Sequence, residues 1–136
     1  MSTVIRNQIS KSNPYYISKH RYLELKHFCL QYPEWKEEYK RLLEKAKRGK
    51  SLISVTEETS DKTADIAVRL SQLSSNMDLV KGTADMVDKC LGYYIFRAVT
   101  EDRSYPWLRG TLNIPCCKNV YYQLYRKFWW ILSQMR

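Results

Sequence analysis

The 136-residue chain is 44% hydrophobic and 27% charged, a balance that suits one folded domain and excludes a disordered or low-complexity chain. Four Gly and four Pro are too few turn-formers for a sandwich or barrel of many short strands. The longest apolar run, Phe128 to Leu132, is far short of the roughly 20 residues that span a bilayer, and residues 1–10 lack the apolar core of a secretion signal. A soluble, cytoplasmic, mostly helical protein without a membrane partner is expected.

The net charge of +9 is unevenly distributed. Residues 1–56 hold 12 Lys/Arg against 5 Asp/Glu, residues 57–102 hold 5 against 9, and residues 103–136 hold 6 against none. A C-terminal segment without a carboxylate suits contact with a polyanion.

Ser18, preceded by Ile17 and followed by apolar residues at 22, 25, 29 and 32, predicts a helix from about Lys19 to Tyr32. Pro33 fits the first turn of the next helix, where its missing N–H costs nothing. That helix carries Trp35, Tyr39, Leu42, Leu43 and Ala46 on one face, with Gly49 as its expected stop. Residues 49–60 read as a linker, with Ser60 or Asp61 capping the third helix.

A stripe of Ile66, Leu70, Leu73, Met77, Val80, Ala84, Val87, Leu91, Tyr94 and Ala98 then alternates spacings of four and three, the seam of a shallowly packed helix. Gly82-Thr83 interrupts it, with Thr83 able to cap a second helix, so one long helix and two collinear ones are both open. The seam serves either as intramolecular core or as a homodimer interface. Further on, Ser104 and Pro106 open a short helix. Leu112-Asn113-Ile114 has the logic of a helix–turn–helix corner, in which Asn tolerates a left-handed backbone and Ile plugs the angle. A last helix is expected from Pro115 or Cys116 to about Gln134, with Val120, Leu124, Phe128 and Ile131 facing inward. Its other face presents Lys118, Asn119, Tyr122, Gln123, Arg126 and Lys127, with Arg109 on the preceding helix. This mix neutralises phosphates and forms paired hydrogen bonds to purine edges. The expected organisation is a helical hairpin (1–50), a linker (51–60), and a long helix plus helix-turn-helix (61–136), packed as one compact domain. In class this is an all-α bundle.

No nucleophile–base arrangement, paired carboxylates in a cleft or Gly-rich phosphate loop points to an enzyme. Cys29, Cys90, Cys116 and Cys117 lack the paired spacing of a zinc site. They read as reduced thiols, Cys29 and Cys90 being small core residues. His20 and His27 lack a companion ligand set, and no metal or cofactor is expected.

The segments T-A-D-I-A-V-R-L (63–70), T-A-D-M (83–86), A-V-T-E-D-R-S-Y (98–105), L-N-I-P-C (112–116) and Y-Y-Q-L-Y-R-K-F-W-W-I-L (121–132) resemble small proteins of phages and integrative elements in Firmicutes. Among these the chain is similar to the RinA/ArpU-type phage transcriptional regulators, whose C-terminal part resembles the helix-turn-helix of sigma-factor region 4. The resemblance spans about residues 15–136 in layout and is strongest over 98–132. It implies a regulator of phage genes in a bacterial cytoplasm, bound to double-stranded DNA as a dimer, with RNA polymerase as a further candidate partner. Ser104 to Thr111 would be the supporting helix and Lys118 to Lys127 the recognition helix. The chain departs from that pattern in having Asn113 where Gly is common and a turn lengthened by Pro115-Cys116-Cys117. The competing expectation is a phage module that binds a host protein through its basic, aromatic C-terminal helix, since Trp107, Tyr121, Tyr122, Tyr125, Phe128, Trp129 and Trp130 also suit a protein interface.

Overall fold

A computed structural model describes residues 13–51 and 57–136. The regular structure among them is entirely helical, so the class is all-α: α1 (Lys19–Leu30), α2 (Tyr32–Ser51), α3 (Glu57–Val87), α4 (Gly92–Glu101), α5 (Tyr105–Thr111) and α6 (Lys118–Met135). None of these helices is long and apolar enough to cross a membrane. The signal-free N-terminus expected over 1–10 and the middle of the expected linker, 52–56, lie outside the described residues.

Helix starts follow local chemistry. Ser18 caps α1 by accepting the Arg21 amide at 3.3 Å, beside a buried Ile17. Pro33 sits in the first turn of α2, as its fixed φ and missing donor favour. Two boundaries differ from expectation. α2 passes through Gly49 to Ser51, a mid-helix Gly costing only about 1 kcal/mol. α3 already begins at Glu57, so Ser60 and Asp61 lie inside it; residues 57–60 contain neither Gly nor Pro to prevent this.

The chain divides into two compact units, and the divide does not follow the expected boundaries at 50 and 60. One unit gathers residues 13–31 and 79–136, the other residues 32–78. α1 and α2 therefore belong to different units rather than to one hairpin, although only Gln31 separates them.

Within residues 32–78, α2 and the first part of α3 run antiparallel. Arg69 holds both carboxylate oxygens of Glu38, Nε to Oε2 at 2.7 Å and Nη2 to Oε1 at 2.9 Å, and the charge of Asp78 acts on Tyr32. Positions thus advance along α2 as they retreat along α3. The pair is partly exposed, so it sets alignment more than stability. Trp35 and Leu73 supply buried apolar surface in this unit.

In the other unit α1 packs on α4 and α6, and α4 packs on α5 and α6. Tyr22, Leu25, Phe28 and Cys29 form the inner face of α1, and Ile95, Ala98 and Val99 that of α4. On α6 the inner residues are Tyr121, Phe128, Trp129 and Leu132. This corrects the expected inner face of Val120, Leu124, Phe128 and Ile131. Val120 is 41% exposed and Leu124 and Ile131 are half-buried. The true face lies about one residue, or 100°, further round, because large aromatic rings displace the smaller aliphatic side chains from the centre. Tyr22 meets Trp129 edge-on at 5.2 Å, and its hydroxyl hydrogen-bonds that of Tyr125 at 3.0 Å.

The stripe is neither a single helix nor broken at Gly82. Thr83 is buried and donates its hydroxyl to the Leu79 carbonyl at 2.7 Å, which keeps it within the helix. The break comes at Asp88, whose Oδ1 accepts the amides of Cys90 and Leu91, both at 2.8 Å, an Asx turn that replaces the next helical bonds. Those two bonds hold the Asp88 carboxyl below its usual range. Gly92 then opens α4 where a Cβ would stand 2.6 Å from the Ala84 carbonyl oxygen, so only glycine lets α4 approach the end of α3 this closely. Cys90 is exposed on this turn rather than in the core; Cys29 is buried, and burial pushes its thiol up to about 12. Along the stripe Leu73, Val80, Ala84, Val87 and Ala98 are buried within the chain, while Ile66, Leu70, Met77, Leu91 and Tyr94 are half-buried.

These placements separate two substitutions on α6. Phe128→Ala should cost about 3–5 kcal/mol through the cavity it leaves. Val120→Asp should stay within about 0.5 kcal/mol, since the site is exposed and a carboxylate suits a helix start. Denaturant unfolding of both variants measures the difference, and equal losses would contradict this phase of α6.

Candidate nucleic-acid interface

The connection from α4 to α6 is built from three local devices. Asp102 takes a left-handed conformation, φ 55°, and ends α4, its amide and that of Arg103 both turning back to the Ala98 carbonyl. Ser104 then accepts the Trp107 amide at 3.4 Å and Pro106 occupies the first turn of α5. At the far end Asn113 is left-handed, φ 54°, and Ile114 is buried, its amide donating to the Leu108 carbonyl at 3.2 Å. The turn 112–117 leads into α6, with extended Cys117 as N-cap.

Contacts across the corner fix α5 in place. Arg103 lies over the Trp107 ring at 4.2 Å and Arg97 at 5.5 Å, cation–π contacts that join α4 to α5. Arg97 also grips Glu101, which holds that carboxyl below its usual range. Leu108 is fully buried. Tyr105 donates its hydroxyl to the Cys116 carbonyl at 2.8 Å, tying the start of α5 to the end of the turn.

The corner divides the seven expected DNA-contacting residues. Lys118, Asn119 and Gln123 are exposed on the first two turns of α6, and Arg109 is exposed on α5. Tyr122, Arg126 and Lys127 are half-buried. Tyr122 belongs to a ring cluster with Tyr105, Tyr121 and Tyr125. Lys127 donates Nζ to the Val87 carbonyl at 3.4 Å, where a cation complements the C-terminus of α3. The seven aromatic side chains that suit a protein interface divide, with Trp107, Tyr122, Tyr125 and Trp130 half-buried. Tyr121, Phe128 and Trp129 are buried, and Trp130 meets Tyr15 in a tilted contact with centroids 5.9 Å apart.

Burial raises the phenols of Tyr22, Tyr121 and Tyr125, so none is a ready proton donor at neutral pH. It also raises the Cys116 thiol, with Cys117 adding to the effect, so Cys116 is a poor thiolate nucleophile. The four cysteines are free, and among the described residues no three His, Cys, Asp or Glu side chains converge as metal ligands. No family model matches the chain, and no curated protein or solved structure shows significant similarity to it.

Two outcomes follow from this geometry. Asn113→Gly should preserve or slightly raise stability, whereas Asn113→Val, forcing a β-branched residue into the left-handed region, should lower it by about 1–2 kcal/mol; thermal unfolding compares them. The buried phenols also set an alkaline limit. An unfolded Tyr ionises near 10.0 while the folded ones stay protonated, so above that pH the native state binds more protons and stability falls as pH rises. Each such phenol contributes about 1.4 kcal/mol per pH unit. Tyr121→Phe should leave neutral stability close to the parent and flatten this decline, as urea midpoints from pH 9 to 12 would show.

Proposed function

We propose that the chain is a transcriptional regulator that binds double-stranded DNA through the first turns of α6, with α5 as the supporting helix. One observation carries this reading: Lys118, Asn119 and Gln123 are exposed together at the start of α6, while Tyr121, Phe128 and Trp129 of the same helix fill the core. A lysine there neutralises phosphate, and two amide side chains present the donor–acceptor pairs that recognise purine edges in the major groove. Arg109, exposed on α5, adds a phosphate contact. The resemblance to RinA/ArpU-type regulators supports the same reading and sets it in a bacterial cytoplasm. The burial of Tyr121, Phe128 and Trp129 favours DNA over the competing protein interface. A homodimer on paired half-sites fits, although Leu73, Val80 and Val87, being buried within the chain, are not free to form its seam. Recruitment of RNA polymerase would follow from binding beside a promoter.

The test is a fluorescence-anisotropy titration with fragments selected from a bacterial or phage genomic library. Asn119→Ala or Gln123→Ala should reduce preference for the selected site by about 1–3 kcal/mol and leave bulk-DNA binding nearly unchanged. Lys118→Ala should weaken all sequences alike and lower the log–log salt slope by about one unit. If no fragment outcompetes bulk DNA and the three variants behave alike, the DNA reading fails and the protein-interface reading replaces it.

A further inference from the structure

A cleft of about 520 Å³ opens between α1, the α4–α5 connection and the start of α6. Its volume falls in the range of small-molecule sites, roughly 300–1,000 Å³. Four tyrosines line it: Tyr105, Tyr121, Tyr122 and Tyr125. Tyr105 and Tyr122 are half-buried, with ring centroids 6.5 Å apart and ring planes tilted by 45°. The charged lining is Lys26, Arg103 and Lys118 against Asp102. Lys26 lies 3.7 Å from Asp102, and Arg103 is engaged by Glu101 and the Trp107 ring. Lys118, by contrast, has no ionic partner among the described residues.

The cleft therefore brings tyrosine rings together with a lysine that has no ionic partner among the described residues. An apolar ligand would make no use of the Lys118 ammonium, and a bare inorganic anion would make none of the rings. A planar base joined to a phosphate uses both features, through stacking and a charge-assisted contact. We propose that this cleft binds a nucleoside monophosphate. Because Lys118 also belongs to the DNA-contacting face, and resting on that reading, occupation by the nucleotide competes with DNA. The chain is then a regulator whose operator affinity falls as the mononucleotide concentration rises.

Calorimetric titration of the full chain with AMP, GMP, CMP and UMP tests the site without DNA. At least one should saturate at one per chain below millimolar concentration, with the matching nucleoside and inorganic phosphate each weaker by about tenfold or more. Lys118→Ala and Tyr122→Leu should each weaken nucleotide binding by about tenfold, while Lys81→Ala, exposed on α3 and outside the cleft, retains it. Lys118 is exposed, so its variant keeps the test decisive even if Tyr122→Leu fails to fold, which circular dichroism reports. Failure of all four mononucleotides to saturate overturns the proposal, as does equal binding of inorganic phosphate. A short single-stranded oligonucleotide that binds when mononucleotides do not also overturns it, since the recognised species is then a polymer. DNA binding without nucleotide binding removes this inference alone; nucleotide binding without DNA binding supports the cleft and removes the proposed function.

Discussion

The rotation of α6 about its own axis is set by the packing of Trp129, and the surface at the start of the helix follows from it. Trp129 is fully buried and contacts Tyr22, Tyr125 and Phe128 edge-on, with centroids 4.8 to 5.7 Å away. Edge-to-face rings have a preferred geometry that aliphatic contacts lack, and the Tyr22–Tyr125 hydroxyl bond adds a directional constraint. With Tyr121, Tyr125, Phe128 and Leu132 committed to that side, Asn119 and Gln123 are left on the outside. A different rotation would bury an amide or expose an indole, and either exchange is unfavourable.

The second constraint is the close passage of α4 beside α3. Asp88 ends α3 with two side-chain hydrogen bonds, and Gly92 lets α4 turn back against the Ala84 carbonyl. Lys127 reaches the Val87 carbonyl from α6, and Thr83 contacts the Met135 sulfur at 3.8 Å. The last turns of α3 are therefore held by α4 on one flank and α6 on another. The α4–α5 connection that supports the corner starts from this anchored pair.

What the sequence reveals and conceals divides along the range of the interactions. Ser18, Ser104, Asn113 and Ile114 are legible because each acts on its own backbone within a few residues, as a cap, a left-handed residue or a plug. The rotation of α6 is not, because periodicity ranks Val and Leu above Tyr for the interior, while here the Tyr22 hydroxyl bonds the Tyr125 phenol and the Tyr22 ring packs edge-on against Trp129, reversing that order. The break at Asp88 is hidden for another reason. Leu91 in the turn and Tyr94 and Ala98 on α4 continue the spacing of α3, so the stripe survives a turn that ends the helix. The D-K-C-L-G run over 88–92 is the local signal, an Asx-turn residue ahead of a glycine, whereas Gly82-Thr83 places a breaker directly beside a capping residue and yet stays helical.

Charge gives the final step. The segment after Asp102 holds six cations and no carboxylate, and composition alone would credit all six to a polyanion. The structure assigns several of them elsewhere. Arg103 lies over Trp107, Lys127 closes the end of α3, and Arg136 lies over the Phe28 ring at 3.9 Å. Such cations hold the fold through ring faces and helix carbonyls, and moving them to phosphate would cost those contacts. Among the described residues Lys118 and Arg109 make no such contact and are exposed, Lys118 directly before Asn119 at the start of α6 and Arg109 on α5. The exposed cations of this segment without such contacts therefore narrow to Arg109 and Lys118 among the described residues, so position rather than total charge shapes this surface.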